Sequence, residues 1–190
     1  MEAKQLLKNL LTLTNQIKQA ALNLELLSDI DLNTRPQPAS WSILECVEHL
    51  NRYGYFYIPE IAIKISTSPY HSPSPTFKSG CLGNYLAKRL LPKAKLNKMK
   101  TPRAMNPSNS KLNRSVLTIF IQQQNSLIAL LEQAKTIDLN RTKTSTLFGS
   151  WVKLRLGDTL KIVVFHNLRH LEQIKNIVHQ QKTERLNYFY

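Results

Sequence analysis

Trp41-Ser42-Ile43-Leu44-Glu45-Cys46-Val47-Glu48-His49-Leu50 reads as the opening of a helix. Ser42 and Glu45 have the spacing of a capping box. The hydroxyl accepts the backbone N–H of the third helical residue, and that residue's carboxylate accepts the N–H of the cap. With Ser42 as N-cap, Trp41 and Cys46 fall at the two hydrophobic-staple positions. Val47, Leu50, Tyr53 and Tyr57 continue the apolar face, so a helix is expected over 41–65. Pro59 is a point where it can kink or end, because proline lacks the N–H donor.

Three more amphipathic stripes flank this one. Upstream, Leu6, Leu10, Leu13, Ile17, Ala20, Leu24 and Leu27 recur three and four apart and predict a helix over 2–27. Downstream, Leu112, Val116, Ile119, Leu127 and Leu130 predict one over 108–135. Val163, His166, His170, Ile174 and Ile177 predict the last, over 158–181, with Asp158 as its N-cap and Gly157 as entry residue. Asp29–Pro38 reads as a polar break. Leu147-Phe148-Gly149-Ser150-Trp151 reads as an apolar connector that packs back on the body, and Val152–Leu156 alternates weakly like a short strand. Four stripes and one long connector predict an all-α four-helix bundle. Its crossover between the second and third stripes is Pro- and Ser-rich and covers about 66–107 of a single domain over 1–190.

The chain of 190 residues carries 26 Lys+Arg against 12 Asp+Glu, a formal charge of +14. Between Glu60 and Glu132 there is no acidic residue, whereas Lys64, Lys78, Lys88, Arg89, Lys93, Lys95, Lys98, Lys100, Arg103, Lys111 and Arg114 all lie there. Leu82, Tyr85, Leu86, Leu90 and Leu91 predict a short helix that pins the middle of this crossover. Lys88, Arg89, Lys93 and Lys95 are then expected to face solvent as an anion-binding face. Such a face fits a small anionic substrate at the site entrance, or a polyanion such as nucleic acid, or serves solubility. No run approaches the ~18 apolar residues of a membrane span. Met1-Glu2-Ala3-Lys4 enters the first stripe with no apolar leader, so a cytoplasmic protein is expected. Two cysteines, Cys46 and Cys81, make no disulfide framework.

The chemistry is carried by histidines. His166 and His170, four apart, share a helix face, and both fall in the apolar stripe. Burying two neutral imidazoles requires partners for both. One metal ion meets that need, and so does a set of hydrogen bonds. His49 lies two turns into the second helix; alone it reads as a core or boundary histidine, and with the pair it completes a three-ligand set. Asn167 stands where a zinc protease has its Glu, which disfavours that chemistry. His71 and His179 read as solvated. Cys46 is a fourth-ligand candidate or a small core residue. Glu45 has its capping role, Glu48 is expected to face out, and Tyr53, Tyr55 and Tyr57 read as packing. Nucleotide-loop, Cys-x-x-Cys and nucleophile-elbow signatures are missing.

Taken together, the Trp41–Leu50 stretch, the Phe165-His166-Asn167-Leu168-Arg169-His170-Leu171-Glu172-Gln173-Ile174 run and the Phe148-Gly149-Ser150-Trp151 turn resemble the DinB-like superfamily. That resemblance implies a four-helix bundle with a divalent metal, zinc, nickel or manganese, on His49, His166 and His170. It implies a homodimer and, for some relatives, transfer of a low-molecular-weight thiol to a small-molecule substrate. The expected activity is that of a metal-dependent thiol transferase or hydrolase, with catalytic residues unassigned. The alternative is a non-catalytic binding protein that uses the basic surface for a polyanion or nucleic acid.

Overall fold

Each long stripe becomes a helix because its apolar face has another stripe to bury against. In the computed structural model, which describes residues 1–92, 100–108 and 110–187, the helices are α1 (Ala3–Leu24), α2 (Asp29–Asn33), α3 (Ile43–Ser66), α4 (Cys81–Leu90), α5 (Ser115–Gln133) and α6 (Leu156–Asn187). A hairpin, β1 (Lys143–Thr146) and β2 (Gly149–Arg155), precedes α6. The bundle consists of α1, α3, α5 and α6. Both α1 and α3 pack on α5 and on α6. The sequence-adjacent pairs, α1 with α3 and α5 with α6, therefore sit across the diagonals, and α3 and α6 become neighbours.

Leu6, Leu10, Ile17 and Leu24 are buried, with Leu7, Thr14 and Ala21 beside them, while Leu13, Ala20 and Leu27 lie at the edge of the stripe. Thr14 is tolerated inside because its hydroxyl donates to the Leu10 carbonyl at 2.8 Å. The capping box is formed at the start of α3: Glu45 N–H donates to Ser42 Oγ at 3.2 Å, and Ser42 N–H donates to Glu45 Oε2 at 2.8 Å. Pro59 does not end α3, which continues to Ser66. Pro59 is exposed, and so is Tyr55, whose carbonyl loses its helical donor.

Several boundaries differ from those expected. The polar break contains α2, capped by Ser28, whose hydroxyl accepts the Asp31 N–H at 3.1 Å. The third bundle helix starts at Ser115 rather than near 108. Asn113 Oδ1 accepts the Ser115 N–H at 2.9 Å, and Leu112 is half-buried in the approach. The weak strand is real and pairs antiparallel with β1, setting Lys143 against Arg155 and Thr144 against Leu154, with a bulge before Thr146. Gly149, at φ 126°, supplies the left-handed turn residue. Leu147 packs on the core, but Phe148 and Trp151 are 64% and 82% exposed, contrary to the packing expected of this connector.

β2 runs directly into α6, so Asp158 lies in the helix's first turn and not at its cap. Asp158 is fully buried, and its Oδ2 accepts the Gly80 N–H at 2.8 Å, at the start of α4 instead. The crossover follows the body of the bundle in three stages. It first pairs with the N-terminus, where Ala3 N–H donates to Pro75 O and Phe77 N–H to Met1 O, both at 2.9 Å. It then lies along α6 as α4 and returns over the first turns of α3 near Met105. The pinning helix is thus present, through buried Gly83 and Ala87, while Leu82, Tyr85 and Leu91 stay exposed.

Candidate metal centre

Because α3 and α6 are neighbours, the second turn of one faces the middle of the other. His49 from α3 and His166 and His170 from α6 meet there, all buried, with their ligand nitrogens within 4.8 Å of one another. Among the described residues this is the group of His, Cys, Asp or Glu side chains arranged to hold a metal ion. His49 Nε2 is 3.3 Å from His166 Nε2. Two zinc–nitrogen bonds of about 2.0–2.1 Å meeting at a tetrahedral angle separate their nitrogens by about 3.3–3.4 Å.

The donor set has the right protonation. His49 Nδ1 lies 2.7 Å from the Met105 carbonyl oxygen. A carbonyl only accepts, so Nδ1 carries the hydrogen and Nε2 presents a lone pair to the cluster. His170 Nδ1 lies 3.0 Å from Gln173 Oε1 and is set in the same tautomer. Such outer contacts orient a ligating ring and raise its basicity. Burial pushes the three imidazoles toward the neutral, ligating form. His49 is lowered to about 4 and His170 to about 3, mainly by desolvation. His166 falls well below its ordinary value for the same reason, and its two neighbouring histidines push it further down. Neutral rings with converging lone pairs fit a divalent cation.

Aromatic rings wall the cluster. Trp41 lies 4.8 Å from His49 and 6.0 Å from His170 between ring centres, and its Nε1–H donates to Ser108 Oγ at 3.0 Å. Tyr53 lies 4.9 Å from His49 and 4.5 Å from His166. Arg52 braces the crossover turn that supplies the Met105 carbonyl. It donates to Asn106 O at 2.7 Å and to Ser110 Oγ at 3.2 Å while pairing with Glu48 at 2.9 Å. Glu48 is therefore half-buried in this brace rather than facing out. Glu45 keeps its capping role and in addition pairs with Arg35.

Cys46 is fully buried in the hydrophobic core and lies outside the histidine group, so it is a packing residue. Asn167 points away from the cluster and donates to Gln124 Oε1 at 3.2 Å. His71 and His179 are exposed, as expected. Of the aromatic patch, Tyr57 is buried and Tyr53 half-buried, whereas Tyr55 is 59% exposed. Lys88 and Arg89 are exposed, as expected, while Lys93 and Lys95 lie outside the described residues.

A cavity of about 510 Å³ opens onto the cluster, with Trp41, Lys100, Arg169 and Gln173 on its walls. Met105, Gln173, Lys100 and Arg169 went unnoticed in the sequence. Arg169 and Gln173 left a trace there, one residue before and three residues after His170 on the same helix. Lys100 reaches the site from the crossover and Met105 through its backbone carbonyl, which residue spacing does not encode.

A sequence model of the DinB superfamily matches residues 13–174. Among solved structures, YfiT from Bacillus subtilis, described as a "probable metal-dependent hydrolase with an unusual four-helix bundle topology", superposes with a TM-score of 0.53. The match has 14% sequence identity and covers 94% of this chain and 87% of that one. At that identity the likeness is one of fold. A search among curated proteins returns no match.

Proposed function

The chain belongs to the DinB superfamily, and on that footing we propose that it is a divalent-metal-dependent enzyme, of hydrolase or thiol-transferase type, with His49, His166 and His170 as the ligands. The observation that carries this reading is the convergence of three buried, neutral imidazoles, two of them held with Nε2 free. Held by His49, His166 and His170, a divalent cation would supply Lewis-acid chemistry, easing deprotonation of a water or thiol at the site. The protein's own groups do the rest. The Met105 carbonyl and Gln173 hold the ring orientations, Trp41 and Tyr53 pack against the imidazoles, and Lys100 and Arg169 set a positive wall on the cavity.

The crossover reaches the histidine end of the bundle, and Arg89 and Lys100 line cavities that include His166. This favours a small anionic substrate over a polyanion. The homodimer and the cytoplasmic setting belong to the same reading. Light scattering at twice 21.9 kDa would support the first. No helix among the described residues is long and apolar enough to cross a membrane.

The test is metal titration followed by elemental analysis. Zinc, nickel and manganese are offered in turn to the protein and to His49→Ala, His166→Ala and His170→Ala. Each substitution should weaken binding by more than the about 10–100-fold that loss of a supporting hydrogen bond costs. Hydrolytic or thiol-transfer turnover should disappear on chelation. Metal affinity unchanged in His166→Ala would end the reading.

A further inference from the structure

A second cavity, of about 460 Å³, adjoins the one above the histidines. His166, Tyr53, Leu90 and Lys100 border both, so the two spaces meet at the metal ligand. The second cavity runs into the bundle between α3, α5 and the hairpin, past Leu50, Tyr57, Leu86, Leu127 and Leu147. Its size falls within the about 300–1,000 Å³ of small-molecule sites.

The amide side chains on its wall, Gln123, Gln124 and Asn167, are already engaged with one another or with backbone. Gln123 donates to the Asn51 carbonyl at 3.1 Å, and Gln124 accepts from Asn167 at 3.2 Å. A guest therefore meets an apolar surface. Charge is concentrated at the junction and has a single sign. Arg89 and Lys100 line the apolar cavity, Lys100 and Arg169 line the histidine cavity, and neither is lined by Asp or Glu among the described residues. Arg169 is buried on the wall of the histidine cavity.

We infer that the substrate is an amphiphilic anion, a medium-chain or aryl carboxylate, whose apolar body fills the cavity beside His166 while its headgroup lies against Arg89 and Lys100. Apolar burial supplies affinity, and the cations fix which end faces the metal ligands. The inference rests on the proposed function for the meaning of the site, but not for the binding it predicts.

Octanoate, octan-1-ol and butyrate serve as probes, titrated calorimetrically into metal-free protein so that no ion holds the headgroup. Octanoate should bind at least about tenfold more tightly than octan-1-ol, which lacks the charge. Butyrate, shorter by several buried methylenes, should bind on the order of 100-fold more weakly than octanoate. The double variant Arg89→Gln/Lys100→Gln should erase the preference for octanoate over the alcohol. Both side chains are exposed, so the fold should survive, as circular dichroism checks. Leu86→Trp should weaken both long-chain ligands by filling the cavity.

Equal affinity for acid and alcohol, a preference that survives the double variant, or no binding of any probe would each overturn the inference. Metal titration in parallel separates the two ideas. Protein that takes metal but ignores octanoate sinks the inference alone, and protein that selects octanoate but takes no metal sinks the enzyme reading alone.

Discussion

His49 is held by the Met105 carbonyl at Nδ1, its Nε2 faces His166 Nε2 at 3.3 Å, and Trp41 and Tyr53 pack on its ring. Residue spacing placed the imidazoles on the correct helix faces, since a four-residue step returns to the same side of a helix. It could not supply the carbonyl, because main-chain acceptors are the same at every position. Burial of these rings has a measurable consequence in the metal-free protein. The folded-state values of His49 and His170, about 4 and about 3, lie below the ordinary 6.5. Between those values the unfolded chain binds more protons than the folded one, so stability falls as pH falls. The contribution is fully present above 6.5 and is lost progressively on the way down to the folded values. Urea unfolding at about pH 7.5 and about pH 5 should show the loss, with a slope of up to about 1.4 kcal/mol per pH unit for each histidine. A flat profile would mean that these rings are not held neutral.

Among the elements, α3 was legible almost to the residue, because its signal is local: a capping box and a stripe read from adjacent positions. Both α4 and the start of α6 were less so. Asp158 has the chemistry of a cap, but it serves Gly80 at the start of another helix, 78 residues away in sequence. Gly83 of α4 lies so close that a Cβ there would overlap the Asp158 carboxyl. Gly83→Ala should therefore destabilise the protein by about 1–3 kcal/mol, the usual cost of overpacking a well-fitted contact. Denaturant midpoints would measure it. A neutral result would show that α4 rides loosely on α6. The hairpin was missed as a pair because β1, Lys143–Thr146, has no apolar alternation of its own. It exists because β2 offers it backbone partners.

At the scale of the whole molecule, the charge of +14 on 190 residues works against compaction through self-repulsion. Raising salt from about 50 mM to about 300 mM shortens the screening length and should raise the thermal midpoint by a few degrees. A midpoint that stays still or falls would mean that opposite charges are already paired well enough to cancel the repulsion. The sequence by itself determined the helical stripes, the capping box, the three candidate ligands and the basic crossover, because these depend on periodicity and local chemistry within a turn or two of chain. It did not determine that α1 faces α3 across a diagonal, that the crossover lies along α6, or that Met105, Lys100 and Arg169 gather around His166. Those are long-range choices. Four amphipathic helices can bury their stripes in more than one pairing, and only the joint packing of all of them, with the crossover drawn over the histidine end by Arg52, selects one.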